Sequence, residues 1–170
     1  PALHRQEVFF DNNYTSLIDL HSYGHDIETA WLVDRGASVL GDEAYIAKMA
    51  PITADLEQNV YKLAYSENSF KNECERGVDD ERRIWWVQAE AVVGFYNGWQ
   101  KDNSKTHYLE AAENIWKFIQ EKVVDKRPGS EWFSEVDVNG KPYMHKPILE
   151  PWKCPYHNGR MCLEMIKREK

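Results

Sequence analysis

The sequence predicts an all-α protein made of helical hairpins in two layers, and two neighbouring segments carry this prediction. From Arg82 to Gln100, apolar residues occur on every side of the predicted helix, which is typical of a helix buried all round. From Lys105 to Val123, apolar residues form one stripe opposite glutamates and lysines, which is typical of a covering helix. A buried helix followed closely by an amphipathic one indicates inner helices that line a core and outer helices that cover them.

An earlier helix is predicted to begin between Tyr23 and His25. Apolar residues then recur at steps of three and four, which is the helical period. They are Ile27, Ala30 and Trp31. Either Gly36 or Gly41 can end this helix, because glycine readily takes the left-handed conformation found after a helix.

Two more helices complete the predicted set. One runs from Asp42 to about Tyr65, and Pro51 inside it predicts a kink or a restart because proline removes a backbone hydrogen bond. The other runs from about Tyr156 to Lys167 near the end of the chain. The residues predicted to be buried on this last helix are Cys162, Met165 and Ile166.

The other segments lack a helical period. Residues 1–24 predict a short strand at Val8 to Phe10 followed by a loop, and the polar stretch from Ser66 to Glu81 predicts a loop. Residues 132–138 alternate in hydrophobicity and meet Asn139-Gly140, a strong hairpin signal. A small β-hairpin is therefore predicted near residues 132–143.

Composition restricts the function. The 170 residues fit one domain, and their formal net charge of -7 argues against nucleic-acid binding, which requires a basic surface. The three cysteines form no CxxC pair, so a disulfide framework and a zinc site are not indicated, and a cytoplasmic location is the default expectation. No apolar run approaches the roughly 20 residues that span a bilayer, so no membrane partner is expected.

Histidines and tryptophans give the chemical signal. His25 and His157 each stand where a helix is predicted to begin, and paired imidazoles suit proton transfer to and from carbon near neutral pH. Large aromatic faces of the kind that stack on sugar rings lie in the same segments. They belong to Trp31, Trp85, Trp86 and Trp152, of which Trp85 is interpreted as a core residue.

Three segments together resemble a known family. They are Ser22-Tyr23-Gly24-His25-Asp26-Ile27-Glu28, Trp85-Trp86-Val87-Gln88-Ala89-Glu90-Ala91 and Trp152-Lys153-Cys154-Pro155-Tyr156-His157-Asn158-Gly159-Arg160. The chain is similar, over essentially its whole length, to the carboxy-terminal part of the cellobiose-epimerising branch of the N-acylglucosamine 2-epimerase family. The resemblance implies that residues 1–170 are the carboxy-terminal part of a single (α/α)6-barrel catalytic domain.

The resemblance also implies an activity and a site. The activity is reversible epimerisation at C2 of the reducing-end glucose of a β-1,4-linked disaccharide, through ring opening and a cis-enediolate, with no cofactor and no metal. The implied catalytic residues are the acid/base pair His25 and His157, with Glu28 orienting a histidine. The implied substrate-binding residues are Trp31, Trp86, Glu90 and Trp152.

The residues themselves suit these roles. Glu28 lies three positions after His25, on the same helical face, so it can orient that ring or a neighbouring imidazole. Arg160 lies three positions after His157 and can either neutralise a developing enediolate oxygen or pair with Glu28 or Glu90. The family also draws an arginine, an asparagine and a third histidine from its amino-terminal part, so the missing amino-terminal half of the barrel is an expected partner and this chain alone is expected to be incomplete.

Two alternatives stay open. An aldose-ketose isomerase acting on mannose uses the same enediolate but returns the proton to C1. A carbohydrate-binding helical fragment without catalysis would carry the same tryptophans, with the histidines as spectators. His21 and the remaining histidines are expected to have no role, because each lies in a surface-like context.

Overall fold

The structure, a computed structural model, describes residues 3–169. Within that range the chain forms five α-helices, which are α1 (Tyr23–Leu40), α2 (Glu43–Ala64), α3 (Trp85–Lys101), α4 (Thr106–Phe118) and α5 (His157–Arg168). Helix α4 continues into a π-helical segment, Ile119–Val123. No helix among these residues is both long enough and apolar enough to cross a lipid bilayer.

Helices α1, α3 and α5 form the inner layer and run parallel to one another. Glu90 in α3 contacts His157 at the start of α5, and Asn97 later in α3 contacts Arg168 near the end of α5. Helices α2 and α4 pack on the outside of α1 and α3. Helix α3 is buried along almost its whole length, as its apolar residues predicted. The amino-terminal ends of the three inner helices therefore meet at one end of the layer.

Short antiparallel strands lie at this amino-terminal end of the inner layer. They are β1 (Leu20–Ser22), β2 (Tyr65–Ser66), β3 (Ser69–Phe70), β4 (Glu73–Glu75), β5 (Val78–Asp80), β6 (Arg83–Ile84) and β7 (Glu135–Val136). Strand β4 lies between β1 and β5, while β2 pairs with β3 and β6 pairs with β7.

The prediction of a loop from Ser66 to Glu81 is therefore wrong. Two tight hairpins occupy this segment, and their turns place Glu67, Asn68 and Arg76 at positive φ. Hairpin turns of this kind normally signal themselves with Asn-Gly or Asp-Gly. The turns here are Glu67-Asn68 and Arg76-Gly77, which match neither dipeptide.

The predicted helix limits agree with the structure to within a few residues. Helix α1 ends at Leu40, and Gly41 follows in the left-handed conformation with φ of 70°. Helix α2 continues through Pro51 without a restart. At residues 132–143 the Asn139-Gly140 turn forms, with a bridge between Val136 and Pro142, but strand β7 finds its main partner in β6. Phe10 forms a single bridge to Ser16 and no regular strand.

The predicted burial of α5 is partly wrong. Met161 is the buried apolar residue of this helix, whereas Cys162 is exposed and Ile166 is 56% exposed. Helix α5 packs against α3 through one face. Beside this contact, α5 borders an open apolar groove of about 430 Å³ that it shares with α3 and α4.

Candidate active site

An open cleft of about 490 Å³ lies at the amino-terminal end of the inner helices. Its lining residues come from α1, α3, α5 and the segments around β6 and β7: His25, Glu28, Ile84, Trp85, Trp86, Ser134, Glu135, Lys146, Glu150, Trp152 and His157. Residues predicted from three distant parts of the sequence therefore face one cavity. Both predicted acid/base histidines are among them.

Trp86 stands between the two histidines. Its ring centroid lies 4.9 Å from that of His25 and 5.2 Å from that of His157. Gly24 makes this position accessible to the indole, because a Cβ there would lie 2.5 Å from Cη2 of Trp86. The glycine in the first turn of α1 thus sets how close the tryptophan and the two imidazoles can come.

Glu90 orients His157. The Nδ1 atom of His157 lies 2.7 Å from Oε1 of Glu90, and the other oxygen, Oε2, accepts a hydrogen bond of 2.9 Å from the indole of Trp31. A carboxylate can only accept, so this bond places a proton on Nδ1 and leaves Nε2 of His157 as the basic nitrogen. Glu90 is 1% exposed and has its oxygens occupied, so its position does not fit the predicted hydrogen bond to a sugar.

Arg160 joins Glu90 to Glu28. One guanidinium nitrogen donates to Glu28 and, at 2.7 Å, to Glu90. Burial alone would lower the pKa of Arg160, but its hydrogen bonds to the two carboxylates raise the pKa above its ordinary value. The guanidinium also lies over the rings of Trp31 and Tyr156. Of the two predicted uses of Arg160, its position fits pairing with the glutamates.

Glu28 makes no direct hydrogen bond to His157. Its Oε1 atom lies 3.9 Å from Nδ1 of His157, beyond hydrogen-bond distance, and its direct partner is Arg160. The direct carboxylate partner of His157 is Glu90. Glu28 therefore acts on His157 through the guanidinium, whereas the sequence favoured a direct contact.

His25 is held by a different kind of group. Its Nδ1 atom lies 2.6 Å from the hydroxyl of Ser22, and the ring is exposed toward the cleft. Sequence reasoning missed Ser22. The available signal was a serine three residues before a histidine at a helix start, which is ordinarily interpreted as a capping residue.

The predicted sugar-stacking tryptophans occupy three different environments. Trp86 is half-buried in the cleft, and Trp152 is 89% exposed at its rim. Trp31 is 2% exposed and bonded to Glu90, so it presents no face to a ligand and the predicted stacking does not fit its position. Trp85 is 4% exposed, in agreement with its interpretation as a core residue.

A buried lysine fixes the loop that carries Trp152. Lys153 is 1% exposed, and its ammonium binds Glu131 and the carbonyl oxygen of Ile148 and lies over the ring of Trp85. Glu131 also accepts a hydrogen bond from Asn158, in the first turn of α5. The rim of the cleft and the start of the helix that bears His157 are thus tied together.

His21 does not lie at the surface, contrary to expectation. It is 5% exposed, and its Nε2 atom lies 2.8 Å from Oδ2 of the fully buried Asp26. The Oδ1 atom of Asp26 accepts a further bond from the backbone of Gln6. This pair fastens the amino-terminal segment to the start of α1, directly behind His25.

Glu28, Glu90 and His157 bring three potential metal-ligand atoms within 4.8 Å of one another. The guanidinium of Arg160 already donates to both carboxylates, and Nδ1 of His157 is bonded to Glu90. A cation at this position would have to displace the arginine. The arrangement therefore fits an internal ion pair better than a metal centre.

Comparisons with known proteins show the family of this chain and its fold. The N-acylglucosamine 2-epimerase (GlcNAc 2-epimerase) family profile matches residues 7–158. The cellobiose 2-epimerase of Eubacterium cellulosolvens is 52% identical over 164 residues, which cover 96% of this chain and 40% of that protein. A crystal structure of a sugar epimerase from a ruminal bacterium superimposes with a TM-score of 0.96 at 44% identity, covering 100% of this chain and 43% of that one. The structure of cellobiose 2-epimerase from Bacillus thermoamylovorans B4167 gives a TM-score of 0.89 at 42% identity, covering 97% of this chain and 42% of that one.

The two helical layers are therefore part of an (α/α)6 barrel, with α1, α3 and α5 in the inner ring. The chain belongs to the N-acylglucosamine 2-epimerase family. It spans about two fifths of the length of the curated relatives that it matches.

Proposed function

We propose that this chain supplies the acid/base pair of a sugar 2-epimerase, whose reaction is the reversible inversion at C2 of the reducing-end glucose of a β-1,4-linked disaccharide such as cellobiose. The observation that carries the proposal is the placement of His25 and His157 in one cleft, on either side of Trp86. Relatives named cellobiose 2-epimerase support the substrate class.

The two histidines divide the proton transfers. After the sugar ring opens, one imidazole removes the C2 proton and a planar cis-enediolate forms. The other imidazole then returns a proton to C2 from the opposite face, which gives the epimer. In His157 the bond from Nδ1 to Glu90 leaves Nε2 to act as the base, and positioned proton transfer typically contributes about 10²–10⁴-fold.

Glu90, Glu28 and Arg160 form a charged network behind His157. Glu90 accepts from Nδ1, so an imidazolium that forms during turnover keeps its partner. Arg160 compensates one of the two negative charges of Glu28 and Glu90, so the cluster carries one net negative charge when His157 is neutral and none when His157 is protonated. The site can thus take up a proton on His157 without leaving an unpaired buried charge.

The cleft itself suits a sugar. Trp86 offers an aromatic face between the histidines, and Trp152 offers an exposed one at the rim. Lys146, Glu135 and Glu150 add polar groups to the lining. A pyranose ring has an apolar face and several hydroxyls, so this mixture matches its chemistry.

The proposal also concerns the part of the barrel that these 170 residues do not supply. We assign the missing wall of the cleft to the amino-terminal part of the longer relatives, since this chain matches about 40% of their length. The apolar groove bordered by α4 and α5 is a surface on which further barrel helices can pack. Among its lining residues, Ile166 is 56% exposed and Trp116 is 37% exposed.

The test uses the complete polypeptide, in which the amino-terminal part of the barrel precedes these residues. Incubation with cellobiose in heavy water should give glucosyl-mannose with deuterium at C2. The 170 residues alone should give no turnover, because part of the site is missing. A ketose labelled at C1 would identify an aldose-ketose isomerase instead, and sugar binding without product or label would identify a binding protein.

A further inference from the structure

Ser22 is an N-cap residue that does not cap its helix. It precedes α1 with extended backbone angles, φ of -85° and ψ of 101°, where serine hydroxyls usually accept from a backbone N–H of the first turn. Its side chain makes no capping hydrogen bond. The hydroxyl lies 2.6 Å from Nδ1 of His25 instead, and the stability that a cap contributes, typically about 1 kcal/mol, is forgone.

The position of Ser22 is fixed on its backbone side. It is the last residue of β1, where it pairs with Glu73 of β4, and it is 4% exposed. His25, by contrast, is exposed toward the cleft. The hydrogen bond therefore connects a buried group on a paired strand to an exposed ring.

The hydroxyl can hold the ring in both states that acid/base chemistry requires. When Nε2 exchanges a proton with the substrate, Nδ1 carries a proton both in the neutral ring and in the imidazolium. The Ser22 hydroxyl can accept from Nδ1 in each state, so its bond to the ring persists. Glu90 can only accept, so it favours the state of His157 in which Nδ1 carries a proton.

We propose that Ser22 is a positioning residue for His25, which holds the ring with Nε2 directed at the substrate in both of its protonation states. This inference rests on the proposed function and adds a residue that does not itself contact the sugar. It also makes the two histidines unequal: His157 is held by a carboxylate and His25 by a neutral hydroxyl.

The experiment compares three variants of the complete polypeptide. In Ser22→Ala the His25 ring loses its anchor, and because small misplacements of reacting groups cost up to about 10²-fold, kcat should fall about 10- to 100-fold with KM changed less than about twofold. Ser22→Thr keeps the hydroxyl and should restore most of kcat. The control is Ser69→Ala, which removes another buried hydroxyl with hydrogen bonds of its own, away from the cleft, and should leave kcat unchanged.

A second measurement does not depend on turnover. The ¹⁵N shift of Nδ1 of His25 should change in Ser22→Ala, because that nitrogen loses its hydrogen-bond partner, and should stay near the wild-type value in Ser22→Thr. Wild-type kcat in Ser22→Ala, equal loss in Ser22→Ala and Ser22→Thr, or unchanged ¹⁵N shifts would each overturn the proposal. An inactive wild-type protein would refute the epimerase function, while the ¹⁵N comparison would still decide the role of Ser22.

Discussion

The inner helices carry a charged cluster at each end, and the two clusters use similar residues differently. At the amino-terminal end, Glu28 and Glu90 share the cation of Arg160. At the carboxyl-terminal end, Asp34 and Glu57 share the cation of Lys101 at 2.7 and 3.3 Å. Each cluster thus pairs two carboxylates with one basic side chain in a largely buried setting.

The difference lies in what each cluster faces. The amino-terminal cluster includes His157, a titratable ring with one nitrogen bonded to Glu90 and a position on an open cleft. The carboxyl-terminal cluster continues to Asn97, which donates to Asp34 and accepts from Arg168, and to Thr53, which accepts from Lys101. None of these partners is a histidine. A buried ion pair alone does not indicate a catalytic site. A histidine that bonds to the ion pair and also faces a cavity does indicate one, as His157 does here.

The largest expected effect is at His157. His157→Asn in the complete polypeptide should lower kcat by about 10²–10⁴-fold, because the proton acceptor is lost, while sugar binding persists. The control is His107→Asn, on α4 in an aromatic cluster with Tyr61 and Tyr108, which should keep kcat. Turnover and calorimetric sugar binding, measured on the same variants, distinguish a catalytic role of His157 from a binding role. Equal loss of both properties in His157→Asn would argue for a binding role.

A matched pair of glutamates compares the two clusters directly. In Glu90→Gln an amide donor must face either Trp31 or His157, both of which donate, and a lost bond to a charged group costs about 1.5–3 kcal/mol. If that cost falls on the transition state, kcat drops about 10- to 100-fold. Glu57→Gln, in the other cluster, should leave kcat within about twofold. A similar loss in both variants would mean that the clusters act only through stability.

A pair of glycines in α1 tests the packing at the same two ends. Gly24→Ala places a methyl group 2.5 Å from Trp86, so the indole must move, and kcat should fall about tenfold or more together with a loss of roughly 1–3 kcal/mol in stability. Gly36→Ala meets no atom within 4 Å and should stabilise the helix by about 0.5–1 kcal/mol with unchanged kcat. Steady-state kinetics and thermal unfolding of both variants provide the comparison. Normal activity in Gly24→Ala would show that the position of Trp86 is not critical.

The smallest effect concerns pH and the carboxyl-terminal cluster. Burial raises the pKa of Glu57, and Lys101 only partly offsets this. The folded state therefore binds a proton more tightly than the unfolded state, so the contribution of Glu57 to stability falls as pH rises from the ordinary glutamate pKa through the raised one. Denaturant unfolding across this range should show that fall in the wild-type protein and a flatter profile in Glu57→Gln. Identical profiles would contradict the assignment.

Much of the helical fold could be predicted because burial leaves a period in the sequence. Helix α3 is apolar all round and helix α4 on one side, as their positions in the inner and outer layers require. The segments that contain His25 and His157 predicted that both would face one cavity, and both line the cleft. The partner of His157 was not, because Glu90 lies 67 residues away and only the packing of α3 against α5 brings them together.

The remaining differences have local causes. The hairpins between Tyr65 and Asp80 place non-glycine residues at positive φ. The usual turn motifs do not predict these turns. The exposure of Ile166 depends on which helices surround α5, and a helical period does not specify its neighbours. The role of Ser22 was hidden because a serine at a helix start has a more common use.

The central claim is that His25 and His157 serve opposite faces of one carbon. The most direct test follows the exchange of the C2 proton with heavy water in His25→Asn and His157→Asn, starting separately from cellobiose and from glucosyl-mannose. The account predicts that neither variant interconverts the sugars and that each labels only one of them, with the two variants labelling different ones. Labelling of the same sugar by both variants, or continued epimerisation in either, would contradict it.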